Sequence, residues 1–258
     1  MAERVTFPST TGPHLAGLLD LPEGPMRGWG VFAHGFTLGK DSPAAARICK
    51  QLAAEGIGML RFDNLGLGGS EGEWGDGSFT TKVADTVLAA EFLRDRGTPA
   101  DLLVGHSFGG AAALAAARRV PEARAVVTIG APVEPSHVEH HYDALVERVM
   151  AEGHAEWPVG GRALVLKRAF VEDIRQAELR QQIRELGLPL LVMHSPTDST
   201  VSIDNASEIF RAARHPRSFV SLEGSDHLLT APGQARRAAR IVSAWADQYL
   251  DRAGPAGS

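Results

Sequence analysis

Residues 102–110 read LLVGHSFGG: an apolar run ends in glycine, and a serine follows inside a glycine-rich turn. Gly105, Ser107 and Gly109 fit the spacing Gly-x-Ser-x-Gly, which is weak by itself in a chain with 28 glycines. The flanks decide its meaning. DLLVG has the composition of a buried strand, and GGAAALAAARR that of a helix, with glycine where helix and strand must approach closely. A serine between them is held on a sharp turn above the sheet edge, its backbone strained and its hydroxyl presented. Near neutral pH such a hydroxyl is a poor nucleophile until a base takes its proton and a third group holds the base. An acid and a histidine are therefore expected further along, each in a loop just beyond a strand.

Both are present. LLVMHSPTDSTV places Asp198 four residues past an apolar run, and SFVSLEGSDHLL places His227 shortly after the next. Asp226 adjoins His227, but neighbours on an extended chain point in opposite directions, so a structural role is expected for it. Asp204 opens a helix pattern, and Asp63 reads as a carboxylate tying a loop. His34 and His106 flank the two glycine turns, where hydrogen bonding within the turn is the expected role. His194 ends a buried strand and reads as a core histidine.

Outward from this stretch, short apolar runs alternate with longer amphipathic segments, the pattern of an α/β sheet with buried parallel strands. Strands are expected near residues 5–7, 15–21, 30–33, 58–62, 102–105, 125–129, 190–194 and 218–222. Helices are expected over 42–55, 80–96, 107–119, 203–214 and 234–252. One stretch breaks the rhythm: residues 134–187 exceed the dozen or so that a crossover needs. They read as an inserted lid between core segments 1–133 and 188–252, with helices over 137–152 and 172–186 and a hairpin or irregular piece between. Residues 253–258 have the composition of a frayed tail.

The chain has 258 residues, 26 basic and 31 acidic, for a formal charge of -5, so no basic field draws nucleic acid or an anionic membrane. No apolar stretch approaches the ~20 residues of a bilayer span, and the amino terminus lacks a signal-peptide layout. A cytoplasmic protein is expected. The single cysteine, Cys49, excludes an internal disulfide framework and lies on a helix pattern as buried filling. HVEHHYD sets His137 and His141 on one helix face, which reads as solvated rather than metal-binding. GWGVFA fits a loose dinucleotide pattern, but its glycines begin a strand instead of leaving one. No metal or cofactor is expected.

Together these motifs resemble the α/β-hydrolase family, in particular its small serine esterases. FAHGF resembles the family's oxyanion turn, FDNLGLGGSEG its glycine loop, PTDSTV its acid loop and GSDH its histidine loop; the order serine, acid, histidine is also the family's. The runs HGFTLGKDS, HSPTDSTVSIDNA and SFVSLEGSDHLL are similar to the hydrolase half of bacterial proteins fused to an OsmC-like peroxide-reducing domain. That second domain's cysteine chemistry is absent here, so no peroxide role is expected. The resemblance implies a mostly parallel eight-stranded sheet flanked by helices, with Ser107, His227 and Asp198 as the catalytic triad. It also implies an oxyanion hole from the Phe36 and Phe108 amides. A serine at the elbow makes ester hydrolysis the default, and Leu145, Val149, Met150 and Trp157 are expected to wall the pocket for small uncharged alkyl or aryl esters. A serine peptidase or amidase, and a ligand-binding member without catalysis, are the alternatives. A small-molecule substrate is the expected partner, and nothing in the sequence sets the oligomeric state.

Overall fold

In the computed structural model, which describes residues 1–250, β1 (Ala2–Pro8) and β2 (His14–Asp20) form an antiparallel pair. Strand and helix then alternate through β3 (Gly28–Ala33), α1 (Pro43–Ala54), β4 (Ile57–Phe62) and α2 (Phe79–Asp95). β5 (Leu102–His106), α3 (Phe108–Ala116) and β6 (Ala125–Ile129) continue the pattern. An insertion follows, with α4 (Asp143–Glu152), β7 (His154–Val159), β8 (Arg162–Lys167), α5 (Arg168–Gln176) and α6 (Leu179–Arg184). The chain returns through β9 (Leu190–His194), α7 (Asp204–Ala212), β10 (Arg217–Ser221) and α8 (Gln234–Leu250). The tail expected at 253–258 lies outside the described residues.

Eight of these strands make one sheet in the order β1-β2-β4-β3-β5-β6-β9-β10, parallel from β4 to β10; a mostly parallel eight-stranded sheet is what the resemblance implies. Every residue of β3, β4, β5, β6 and β9 is buried, which explains why these strands read as unbroken apolar runs. Helices α1 and α8 pack Ile48, Cys49, Leu52, Val242 and Ala246 on one face. Helices α2 and α3 pack Val83, Val87, Ala112 and Leu114 on the other. Among the buried polar residues of these strands Arg61 in β4 carries a charge, 2% exposed and held by Asp20 Oδ2 at 2.7 Å and Asp41 Oδ1 at 2.8 Å. A buried guanidinium is tolerated only when paired, and this one ties β2, β4 and the loop that leaves β3.

The insertion departs from its expected elements. In place of a helix over 137–152, a 3₁₀ segment spans Pro135–His141 and α4 starts after it. Tyr142 breaks the two with non-helical φ -143° and ψ 25°, its ring buried beside Trp157 and Phe36. The helix expected over 172–186 is divided between α5 and α6. The middle piece is a hairpin, β7 pairing β8 around Gly160 and Gly161, whose φ of 57° and 75° suit a two-residue turn that needs positive φ twice. Among the described residues no helix is long and apolar enough to cross a membrane.

Candidate active site

β5 delivers Ser107 to its turn with φ 54° and ψ -127°, a combination strained for any residue with a Cβ. Two glycines make the turn possible. A Cβ on Gly105 would sit 2.2 Å from the Gly109 carbonyl oxygen, and one on Gly109 would sit 2.0 Å from the Ala33 carbonyl oxygen. The Ser107 amide donates to the Ile129 carbonyl at 2.8 Å, anchoring the turn across to β6. Helix α3 begins at the next residue, so its positive end faces the serine.

The loops after β9 and β10 bring Asp198 and His227 to this point. His227 Nε2 lies 3.0 Å from Ser107 Oγ, and Nδ1 lies 2.7 Å from Asp198 Oδ2. The other Asp198 oxygen accepts from the Thr200 and Val201 amides, each at 2.9 Å. Burial alone would raise the Asp198 carboxyl, but the hydrogen bonds from His227, Val201 and Thr200 outweigh it and hold it below the ordinary carboxylate value. A carboxylate so fixed sets the imidazole tautomer with its free nitrogen toward the serine. Gly130, with φ 59°, lies under the pair; a Cβ there would be 3.3 Å from His227 Nδ1.

The competing groups are engaged elsewhere. Asp226 caps the Leu228 and Thr230 amides at 2.9 and 3.0 Å. Asp63 binds the Lys40 and Gly69 amides and the Lys40 ammonium, tying two loops. Asp204 meets Ser202 at the start of α7. His194 is fully buried and bonded to the Val201 carbonyl at 2.8 Å. His106 Nε2 contacts the His227 carbonyl at 2.7 Å, and burial followed by the nearby His227 pushes its pKa down to about 4. It is a neutral donor that supports the histidine loop. His137 bonds the Thr200 carbonyl at 2.9 Å, and the described residues contain no cluster of His, Cys, Asp and Glu able to hold a metal ion.

Gly35–Leu38 form a tight turn beside the serine: the Leu38 amide reaches the Gly35 carbonyl at 3.4 Å, and a Cβ on Gly35 would be 3.4 Å from Ser107 Cβ. Among the described residues the Phe36 and Phe108 amides donate to no turn or loop carbonyl. The Phe36 ring lies at the centre of an aromatic cluster, 5.4 Å from Phe108 and 5.6 Å from both Trp157 and Phe170.

A cleft of about 240 Å³ opens over Ser107 and His227, walled by Phe36, Leu38, Trp157, Val159 and Leu228. Of the four pocket residues read from the sequence, Trp157 alone lines it. Val149 is fully buried, and Leu145 and Met150 pack against the same core, because α4 turns its apolar face to the protein interior. Val159 and Thr200 were not singled out by the sequence; alternation along the 154–159 strand would have put Val159 on the same face as Trp157.

A hydrolase family described as serine aminopeptidase, S33, matches residues 24–173. Among solved structures, the esterase domain of a Rhodothermus marinus protein is 40% identical, with 97% of this chain and 99% of that chain covered at a TM-score of 0.78. Est1E from Butyrivibrio proteoclasticus, whose structure holds ferulic acid, is 17% identical over 95% of this chain and 99% of that one, TM-score 0.77. A hypothetical protein from Pseudomonas aeruginosa reaches a TM-score of 0.80 at 17% identity, covering 96% and 94%. The last two show the fold alone. No curated protein matches the chain.

Proposed function

Since the chain belongs to the α/β hydrolases of the serine aminopeptidase S33 family, we propose that it is a serine carboxylesterase acting on small uncharged alkyl or aryl esters. The observation that carries this reading is the continuous contact from Ser107 Oγ through His227 to Asp198, at 3.0 and 2.7 Å. Its likeness to an esterase domain at 40% identity supports the same reaction.

In this mechanism His227 Nε2 removes the Ser107 proton as Oγ attacks the ester carbonyl, and Asp198 stabilises the imidazolium. The carbonyl oxygen becomes an anion held by the Phe36 and Phe108 amides, with the positive end of α3 behind it. Collapse breaks the ester C–O bond, and the imidazolium gives its proton to the departing alcohol. Water then repeats the sequence on the acyl-enzyme, restoring the serine. Residues 134–187 act as a cover over the cleft, contributing Trp157 and Val159 from their hairpin.

The family description favours a second reading, cleavage of aminoacyl substrates. An aminopeptidase must hold a free ammonium, and no carboxylate lines the cleft among the described residues. Its walls suit apolar groups instead, and its volume suits small ones. A series of p-nitrophenyl esters set against aminoacyl anilides separates the readings. We expect turnover of short esters and none of the anilides; the reverse pattern overturns the assignment.

A further inference from the structure

Behind the Phe36 turn lies a lysine that the proposed chemistry does not use. Lys82 of α2 is 6% exposed, and the charge that acts on it is the Asp85 carboxylate, with no salt bridge between the two among the described residues. Lysine is rarely buried without a charged partner. Its ammonium donates to Asn64 Oδ1 at 2.5 Å. Asp85, one turn further along α2, is occupied by the Ser9 hydroxyl at 2.8 Å and the Thr10 amide at 3.2 Å. A cavity of about 40 Å³ adjoins these groups, lined also by Phe36, Trp74, Phe108 and Phe170. Asp85 on its wall disfavours an anionic ligand, so the cavity does not account for the buried charge.

The contacts beyond Asn64 do. The Asn64 backbone N–H donates to His34 Nε2 at 3.3 Å, so the lysine's grip on the Asn64 side chain acts on this bond by fixing where the Asn64 main chain lies; the His34 proton is left on Nδ1, 2.8 Å from the Gly35 carbonyl oxygen. Burial and then the Lys82 charge keep His34 neutral, its pKa well below the ordinary histidine value. The Gly35 carbonyl and the Phe36 N–H belong to one peptide unit. A donor on its oxygen fixes the plane of that unit and polarises its N–H outward.

Resting on the esterase reading for the role of the Phe36 amide, we infer that Lys82 and Asn64 are positioning residues for transition-state stabilisation: by pinning Asn64, Lys82 holds the His34 to Gly35 bond that aims and polarises the Phe36 amide at the developing oxyanion. Neither residue touches the substrate. Their effect falls on the transition state and leaves ground-state binding alone.

The test compares wild-type enzyme with Lys82→Met, Lys82→Arg, Asn64→Leu and the Lys82→Met/Asn64→Leu double variant. Hydrolysis of p-nitrophenyl acetate is read beside inhibition by a trifluoromethyl ketone. Ser107 Oγ adds to that ketone's carbonyl and passes its proton to His227, leaving an oxyanion where the ester's would form. Losing a whole oxyanion donor costs roughly 100- to 1000-fold in kcat, so misaiming one is expected to cost about tenfold. Lys82→Met should lower kcat by that factor with KM within about twofold, and weaken the ketone in step. Lys82→Arg should recover most of the loss, Asn64→Leu should reproduce it, and the double variant should be no worse than the poorer single.

Folded Lys82→Met with wild-type kcat overturns the inference, as does a rise in KM alone or losses that multiply in the double variant. If Lys82→Met does not fold, Asn64→Leu carries the same expectations. Wild-type enzyme inert to esters but binding the ketone more tightly than Lys82→Met sinks the esterase reading and keeps this one.

Discussion

The strain at Ser107 can be measured by comparing two replacements, Ser107→Ala and Ser107→Gly. Both delete the hydroxyl and its 3.0 Å contact with His227, so that loss cancels between them. The hydroxyl caps no backbone group of α3, so no capping contribution separates them either. Alanine keeps a Cβ at φ 54° and ψ -127°, and a residue held in such a region costs of order 1–3 kcal/mol. Glycine removes that cost but gives the unfolded chain more freedom, worth about 0.5–1 kcal/mol against it. The balance favours glycine by about 1 kcal/mol at the centre of these ranges, and by up to about 2.5 kcal/mol. For a domain of this size the central value is a Tm of Ser107→Gly about 2–4 °C above Ser107→Ala. Thermal unfolding, backed by urea midpoints at fixed pH, reads the difference, and neither variant should hydrolyse esters. A glycine variant no more stable than the alanine one would show that the elbow stores no strain, and the argument from backbone geometry to an exposed nucleophile would fail.

Asp198→Asn leaves the loop's shape but lets the imidazole take the wrong tautomer. It is expected to lower kcat by about 10³–10⁴-fold with little change in KM, and a loss under tenfold would remove Asp198 from its role. Stability should fall in acid. His106 and His141, each with a pKa lowered from 6.5 to about 4, are protonated later in the folded protein than in the unfolded chain. The unfolded chain therefore binds more protons between those values, and stability is lost as pH falls through that window. His106→Gln should make the fall in urea midpoint between about pH 6.5 and 4 shallower; an unchanged slope refutes the assignment. Lys82 has the opposite place on the scale: burial brings its pKa from 10.5 down to about 7, so the folded form releases a proton that the unfolded chain keeps. Wild-type stability then gains as pH rises through that interval, and Lys82→Met should exceed wild type most at about pH 6 and progressively less toward pH 10. A constant difference would mean that the lysine is not desolvated.

The meeting of Ser107, Asp198 and His227 was legible because each lies beyond the end of a short apolar strand, where local pattern alone fixes which edge of the sheet the next loop occupies. The mostly parallel character of the sheet was legible for the same reason, whereas the order of its strands was not. The pocket wall was less legible. Val149 and Met150 do lie on an apolar helix face, but periodicity says only that a face is buried, and here the interior covers it instead of the cleft. The 3₁₀ segment before α4 was missed because the burial of Tyr142 against Trp157, fifteen residues on, overrides the helical pattern around it. Least legible was the path from Lys82 to Phe36. It joins α2, the loop after β4 and the turn after β3, segments that meet only in the folded sheet.

The whole account requires that Ser107 carry the acyl group during turnover. Reaction with p-nitrophenyl acetate, quenched in acid within the first turnovers and mapped by peptide mass spectrometry, reads that directly. One acetyl group on the peptide containing Ser107, absent in Ser107→Ala, is the expected result. Continued turnover with the acetyl group on another residue, or an adduct that persists in Ser107→Ala, would contradict it.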